Sequence, residues 1–374
     1  MKSKRKIYIC LVLYLLTANM INKICVVMGS ALDDILHLKA GLNLLTIASS
    51  TFLSTFGKFL GSFLPNHIRS FLFFSFLMNS ICIICFILFK NSLIFGLSRS
   101  LQGFFSGIQF SLIFGLLGSL KNNYKGFANF TGLSSIISVI CGFFLIFFPV
   151  RLLIIVTSVV SGLSAFIFYF SIHDTNEHIE DQKQLSIVEQ FKNMLLMTLD
   201  MYFFLRAAFV GSLLGCAIMI ITQQKKLINL LFDIPPGWQT FIALMPFIIS
   251  AVISFIHKTQ SKLLFLFMNF LSFWFLTIGV FSNDLMILIL GIISPFLSFA
   301  IINPVVCSEA VNRYMDHKFI ASSYFSFIRS IFTSISIFIL PNLTNYPIII
   351  SSVFCFIFGC IYIIHDKKLI SDIL

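Results

Sequence analysis

Twelve apolar stretches, each about twenty residues long, fill this chain almost from end to end. One helix needs about 20 apolar residues to cross a bilayer core, so the chain holds twelve candidate spans and little else. They lie at roughly 7–29, 41–64, 70–89, 93–120, 126–148 and 152–172, then 200–221, 239–257, 263–281, 285–307, 319–340 and 346–364. In lipid every backbone N–H and C=O must be satisfied internally and open sheet edges are not viable, so the spans are expected to be helices. A membrane β-barrel would show alternating strands of about ten residues, whereas these runs are continuous and too long. The expected fold class is an all-α membrane protein with twelve transmembrane helices in two six-helix bundles.

Composition supports this. Of 374 residues, 58% are hydrophobic and 10% charged, and the mean hydropathy is +1.01. Soluble domains average about 25% charged residues, so a water-soluble core cannot account for the chain. A net charge of +11 would suggest nucleic acid in a soluble protein. Here the basic residues sit mostly in short loops, where they set orientation in the membrane, and no nucleic-acid partner is expected. The one Cys-x-x-Cys, Cys82 to Cys85, lies in an apolar run without a nearby His or carboxylate. A metal or redox motif needs a partner set, so these cysteines read as small apolar side chains, and neither metal nor cofactor is expected. The start, Met1-Lys2-Ser3-Lys4-Arg5-Lys6 before an apolar run, has the form of a signal peptide. No convincing small-residue cleavage site follows and eleven further spans do, so it is expected to stay as the first helix.

With the N-terminus inside, the inner segments hold fifteen basic residues, among them Lys2, Arg5, Arg69, Lys121, Lys192, Arg313 and Lys368. The outer segments hold five: Lys39, Lys90, Arg151, Lys225 and Lys226. This bias puts both termini in the cytoplasm, in what is expected to be a bacterial inner membrane. The long polar inner segment from His173 to about Leu199 divides the spans six and six. The expected organisation is an N-terminal bundle over 1–172, a cytoplasmic linker over 173–199 and a C-terminal bundle over 200–374. Parallel repeats of six helices are a known transporter plan. The tail of the linker, Leu185 to Leu199, is expected to form an amphipathic surface helix.

The fourth span begins Gly96-Leu97-Ser98-Arg99-Ser100-Leu101-Gln102-Gly103-Phe104-Phe105-Ser106-Gly107. This resembles the Arg-x-x-Gln-Gly-x-x-x-Gly signature in the fourth helix of the major facilitator superfamily, and looks most like its drug–proton antiporter (bicyclomycin-resistance-like) branch. Leu230-Leu231-Phe232-Asp233-Ile234-Pro235-Pro236, before a Trp238-led span, is similar to that branch's outer loop between helices seven and eight. Asn303-Pro304 in the tenth span is similar to its Pro-Asn region with the order reversed. The resemblance implies a transporter, acting as a monomer on a small solute, with or without a coupling ion, and a central cavity lined by helices one, four, seven and ten.

The departures are specific. Where the family reads Gly-x-x-x-Asp-Arg-x-Gly-Arg-Arg between helices two and three, this chain has Gly61-Ser62-Phe63-Leu64-Pro65-Asn66-His67-Ile68-Arg69-Ser70. Only Gly61 and Arg69 match, as a remnant of the inner-gate motif, and Pro65 stands where the gate Asp is expected. Ala18-Asn19 replaces a small residue followed by Asp in the first helix, and Gly132 to Gly142 in the fifth contains no proline.

Five cations fall within spans: Lys23, Lys58, Arg99, Arg206 and Arg329. None of the fourteen carboxylates lies well inside one, Asp200 and Glu309 standing at span ends. A charge at the bilayer centre costs about 2.5–3.5 kcal/mol on insertion scales, and such residues face a cavity or a partner. Near a span end, as for Lys58 and Arg206, a long side chain can instead snorkel to the surface. Asn19 and Lys23 are four apart and share a helix face, as do Arg99 and Gln102 at three apart. Candidate substrate-binding residues are therefore Asn19, Lys23, Arg99, Gln102, Arg206 and Arg329. Proton-driven antiport needs an intramembrane group that changes charge; a guanidinium does not, leaving Lys23 as the candidate. Cations without carboxylates point to an anionic or polar solute over the apolar cations of multidrug efflux, the alternative reading. A non-transporting degenerate protein is the third. No His/Asp, Ser/His or metal cluster lies in a span to support a membrane enzyme, and no glycine-rich phosphate loop supports an ATP-driven pump.

Overall fold

The computed structural model describes residues 2–27, 42–88, 92–171, 186–232, 234, 236–256, 262–343 and 347–365. Among them are thirteen α-helices and no strand. Twelve coincide with the expected spans: α1 (Lys2–Val27), α2 (Leu42–Gly61), α3 (Ile68–Leu88), α4 (Ser92–Gly118), α5 (Asn123–Phe147) and α6 (Val150–Ser171), then α8 (Met201–Leu231), α9 (Pro236–Ile256), α10 (Lys262–Ser282), α11 (Leu285–Asn312), α12 (Lys318–Leu343) and α13 (Pro347–His365). The thirteenth, α7 (Ile187–Leu199), is the expected amphipathic helix. The rest of the predicted linker, from His173 to Leu185, lies outside the described residues. Six described segments are long and apolar enough to cross a membrane: Ile68–Phe86, Leu93–Gly118, Asn123–Leu145, Val150–Phe170, Met201–Ile220 and Leu285–Asn312.

Local chemistry sets the helix ends. Ser186 and Glu189 form a capping box at the start of α7, satisfying two of the N–H groups a helix start leaves open. Asn283 takes a left-handed φ of 52° after α10, and Asp284 then accepts from the N–H groups of Met286 (2.9 Å) and Ile287 (3.1 Å) to open α11. Pro65 begins the single 3-10 turn before α3, where its missing N–H costs nothing. Pro246 sits inside α9, and Pro295 and Pro304 inside α11.

Two helices outrun their spans. α8 is 31 residues long, about 46 Å at the helical rise, and continues beyond residue 221 through Thr-Gln-Gln-Lys-Lys-Leu-Ile-Asn-Leu-Leu. Polar residues end the apolar run there, but Gln, Lys and Leu are good helix formers and no Gly or Pro intervenes. Leu230 and Leu231 are thus helical, while Asp233 and Pro235 of the presumed outer loop lie outside the described residues. α11 likewise runs past 307 to Asn312.

The chain forms two compact units: Met1–Asn123 with Ile137–Asp200 and Val311–Phe327, and Tyr124–Ile136 with Met201–Ala310 and Ile328–Leu374. In the first, α2 packs on α4, α4 on α3, and α3 on α6, with α1 against α4 and α6. Small residues build the α2–α4 contact. A Cβ at Gly57 would strike the Phe104 carbonyl, one at Gly103 that of Ser50, and one at Gly107 that of Ser54. Gly103-x-x-x-Gly107 therefore acts as a close-approach stripe. Between α3 and α6, Ser80 Oγ donates to the Ser158 carbonyl (2.7 Å) and Ser158 Oγ to that of Ser80 (2.9 Å). The first turns of α12 meet α4 the same way: Ser322 Oγ donates to the Phe114 carbonyl (2.6 Å) and Ser323 Oγ to that of Ser111 (2.9 Å), beside Gly115 and Gly118. In the second unit α8 packs on α9 and α13, and α10 on α13; Gly211 lies against the Arg329 carbonyl, and Thr333 Oγ1 donates to the Gly211 carbonyl at 2.9 Å.

Gly107→Leu would drive a side chain into backbone that has no rotamer to yield, and should destabilise the protein by about 3 kcal/mol. Gly162, whose nearest neighbour would be the movable Ser80 hydroxyl at 3.3 Å, should accept Ala with little change. Thermal unfolding of the detergent-purified variants checks both.

Candidate functional site

The first unit carries Arg99 and Gln102 on one face of α4, 3% and 2% exposed. Arg99 Nη1 donates to Gln102 Oε1, so the pair expected from their spacing forms. Ser106 and Gln109 continue that face at helical spacing. Gln109 is fully buried, and neither of its amide atoms meets a hydrogen-bond partner among the described residues. Buried amides are nearly always bonded, which marks Gln109 as a candidate that the sequence reading missed. Its signal was there: positions 99, 102, 106 and 109 follow the i, i+3, i+7, i+10 rhythm of one helix face.

Asn19 is half-buried in α1. Its Nδ2 donates back to the Leu15 carbonyl at 2.9 Å, and its Oδ1 accepts from Ser138 of α5 at 3.0 Å. The amide that replaces the expected carboxylate thus ties α1 to α5. Lys23 follows on the same helix, but its side chain lies outside the described residues. Lys58 places its ammonium 4.6 Å from the centre of the Phe110 ring. Of the gate-motif remnant, Gly61 is buried where a Cβ would sit 2.7 Å from Ser111 Cβ. Arg69 donates through Nε to the Tyr169 carbonyl at 2.7 Å, with its guanidinium 3.8 Å from that ring's centre. Arg69 therefore joins the start of α3 to the end of α6.

A separate ionic cluster closes the end of α7. Asp200 accepts from Arg313 Nε at 2.8 Å and from the Tyr314 hydroxyl at 2.7 Å, and Thr198 and Tyr324 hydroxyls meet at 2.6 Å. Burial, and then donation to the Asp200 carboxylate, push the Tyr314 phenol above its ordinary range.

The second unit holds Arg206 and Arg329, 6% and 4% exposed, in different networks. Arg329 Nη1 donates to Asn303 Oδ1 at 3.2 Å, and Asn303 Nδ2 donates to Thr131 Oγ1 at 3.0 Å. This chain of bonds links α12, α11 and α5, and Asn303 is the residue of the reversed Pro-Asn pair. Arg206 is not the lone cation suggested by the span ends. Because α11 runs on to Asn312, Glu309 is inside the helix and reaches Arg206 Nη2 at 3.5 Å. The Arg206 guanidinium also lies 3.4 Å from the centre of the Tyr202 ring, a cation–π stack. Among the described residues, no group of three or more His, Cys, Asp or Glu converges in a way that could hold a metal.

No family model and no curated protein matches this sequence. The similarity lies in the fold, which the chain shares with two solved structures. The structure matches that of the human organic anion transporter MFSD10 (TETRAN) with a TM-score of 0.68 and 12% identity, over 97% of this chain and 97% of that one. It matches the major facilitator proton:xylose symporter XylE, bound to 6-bromo-6-deoxy-D-glucose, with a TM-score of 0.71 and 12% identity, over 97% of this chain and 93% of that one.

Removing one partner of a buried ion pair leaves an uncompensated charge. Arg206 is buried but a quarter of the Glu309 side chain is exposed, so Glu309→Ala should lower stability by about 1–2 kcal/mol, and Arg206→Met with Glu309→Leu should recover most of that loss. Thermal unfolding of the three proteins tests this; a double variant no better than the single one would contradict it.

Proposed function

We propose that the protein is a secondary transporter of a small solute, an organic anion, working by alternating access. The observation that carries the reading is the pair of buried arginines, Arg99 and Arg329, each held by a neutral amide, Gln102 and Asn303. An amide orients a guanidinium without cancelling its charge. The guanidinium fork suits bidentate binding of a carboxylate or phosphate. Neither α4 nor α12 contains an Asp or Glu, and a carboxylate or phosphate on the solute would complement these guanidinium groups. A site for an anion follows more readily from these residues than one for a lipophilic cation, which they would repel. The fold shared with an organic anion transporter and a sugar symporter supports transport over its full length.

In this reading Arg99 and Gln102 of the first unit and Arg329 of the second are each candidate contacts for the solute, Asn19 and Lys23 are further candidates in the first unit, and Gln109 extends the polar face of α4. Arg206 joins through its pair with Glu309. The protein would act as a monomer in the bacterial inner membrane with both termini cytoplasmic, and Pro246, Pro295 and Pro304 would supply points of bending in α9 and α11.

Proteoliposomes tested with a panel of organic anions, drugs and amino acids, with and without a proton gradient, should accumulate anions. Arg99→Ala with Arg329→Ala should abolish that uptake while membrane insertion stays normal. Undiminished uptake by the double variant would overturn the site assignment, and uptake of lipophilic cations alone would favour drug efflux.

A further inference from the structure

The first unit contains an apolar cavity of about 740 Å³ that no part of the transport reading uses. Its walls come from Phe59 in the last turn of α2, Phe63 in the turn after it, Phe71 and Phe74 in α3, Phe104 in α4, and Phe191 in α7. The Phe63 and Phe191 rings stack across it with centroids 6.4 Å apart. The Phe104 carbonyl abuts Gly57, four residues before the end of α2, so the cavity lies beside the last turns of α2 and the first turns of α3.

α7 itself has three faces. Gln190, Met194 and Met197 are buried against the protein. Glu189, Lys192 and Asn193 form a mainly polar face, interrupted by the exposed Leu196. Between the two lies an exposed apolar strip: Ile187 (71%), Val188 (78%), Phe191 (54%), Leu195 (52%) and Leu199 (70%). A helix with a protein side, a water side and an uncovered apolar side fits the boundary between a membrane and water. Ile187, Val188 and Phe191 belong both to that strip and to the cavity wall, so the cavity is continuous with the surface that lipid would cover.

Charge at this end is basic. Lys192 follows Phe191 and is exposed, and His67 is exposed before α3 with its ring beside that of Phe71, while Arg69 is turned to Tyr169. The neighbouring Glu189 is engaged in the capping box, accepting from the Ser186 N–H at 2.8 Å and its hydroxyl at 3.0 Å.

We propose that this crevice between α2, α3, α4 and α7 holds one acyl chain of a membrane phospholipid, with an anionic headgroup beside Lys192. The occupant follows from three observations: an apolar phenylalanine wall, continuity with the exposed strip of α7, and the exposed Lys192 next to the lining residue Phe191. It stands independently of which solute is carried.

The test uses the full-length protein with Trp238 and Trp274 replaced by Phe and a single tryptophan introduced by Phe63→Trp, reconstituted in phosphatidylcholine vesicles. Brominated acyl chains are supplied either on phosphatidylglycerol as a minor component or on the same fraction of phosphatidylcholine. The tryptophan should lose most of its emission to brominated chains and none to aqueous iodide. Quenching should be stronger from the anionic lipid, and Lys192→Glu should remove that preference. Quenching by iodide would mean water fills the crevice, and quenching by neither would mean protein closes it; either result overturns the proposal. If Phe63→Trp fails to fold, Phe71→Trp reads the same cavity with the same expected outcomes.

Discussion

Helices already in lipid gain little by hiding apolar side chains from one another, because the surrounding acyl chains are equally apolar. What holds them together is close contact and hydrogen bonding, and this protein depends on both through its small residues. Gly57, Gly103 and Gly107 bring the α2 and α4 backbones together at points where any side chain would collide with a carbonyl. Serines then donate across helix contacts to carbonyls, from Ser80 and Ser158 between α3 and α6 to Ser322 and Ser323 between α12 and α4. Among side chains that are largely Phe, Ile and Leu, these small residues supply the directional contacts that choose one packing over another.

The same seams position the charges. On α4, Gly103 and Gly107 turn one face to α2, and the adjoining face carries Arg99, Gln102 and Gln109. In the second unit, Gly211 lies against the Arg329 carbonyl, while the Arg329 guanidinium reaches Asn303. Each buried arginine is expensive to place in a membrane. Arg99 and Arg329 are set on rigid, closely packed helices and held by amides, an arrangement that orients a guanidinium. Arg206 differs: Glu309 and the Tyr202 ring hold it as a structural ion pair as well as a candidate contact.

The architecture was readable because its main determinant, the length of each apolar run, is linear in sequence. Every expected span has its helix, and the amphipathic α7 with its Ser186–Glu189 capping box stands where the linker tail predicted. The start of α8 was legible but its end was not, because an apolar count stops at residue 221 whereas helix propensity carries the helix to Leu231. The Arg206–Glu309 pair was hidden for a related reason: the span was judged to end at 307, and whether a carboxylate two residues later meets a cation on another helix depends on packing. The Arg99–Gln102 pair was local and could be anticipated; Arg329–Asn303 joins residues 26 apart and could not. Gln109 looked like an ordinary polar residue until burial and the absence of a bonded partner for its amide set it apart.

The account turns on the sign of charge that the buried arginines select. The most direct measurement is ligand-induced thermal stabilisation of the purified wild-type protein, comparing organic anions with neutral and cationic molecules of matched size. A ligand that binds the folded state alone raises the unfolding temperature. The account predicts stabilisation by one or more anions and none by their cationic counterparts. Stabilisation by lipophilic cations with no response to any anion would contradict it.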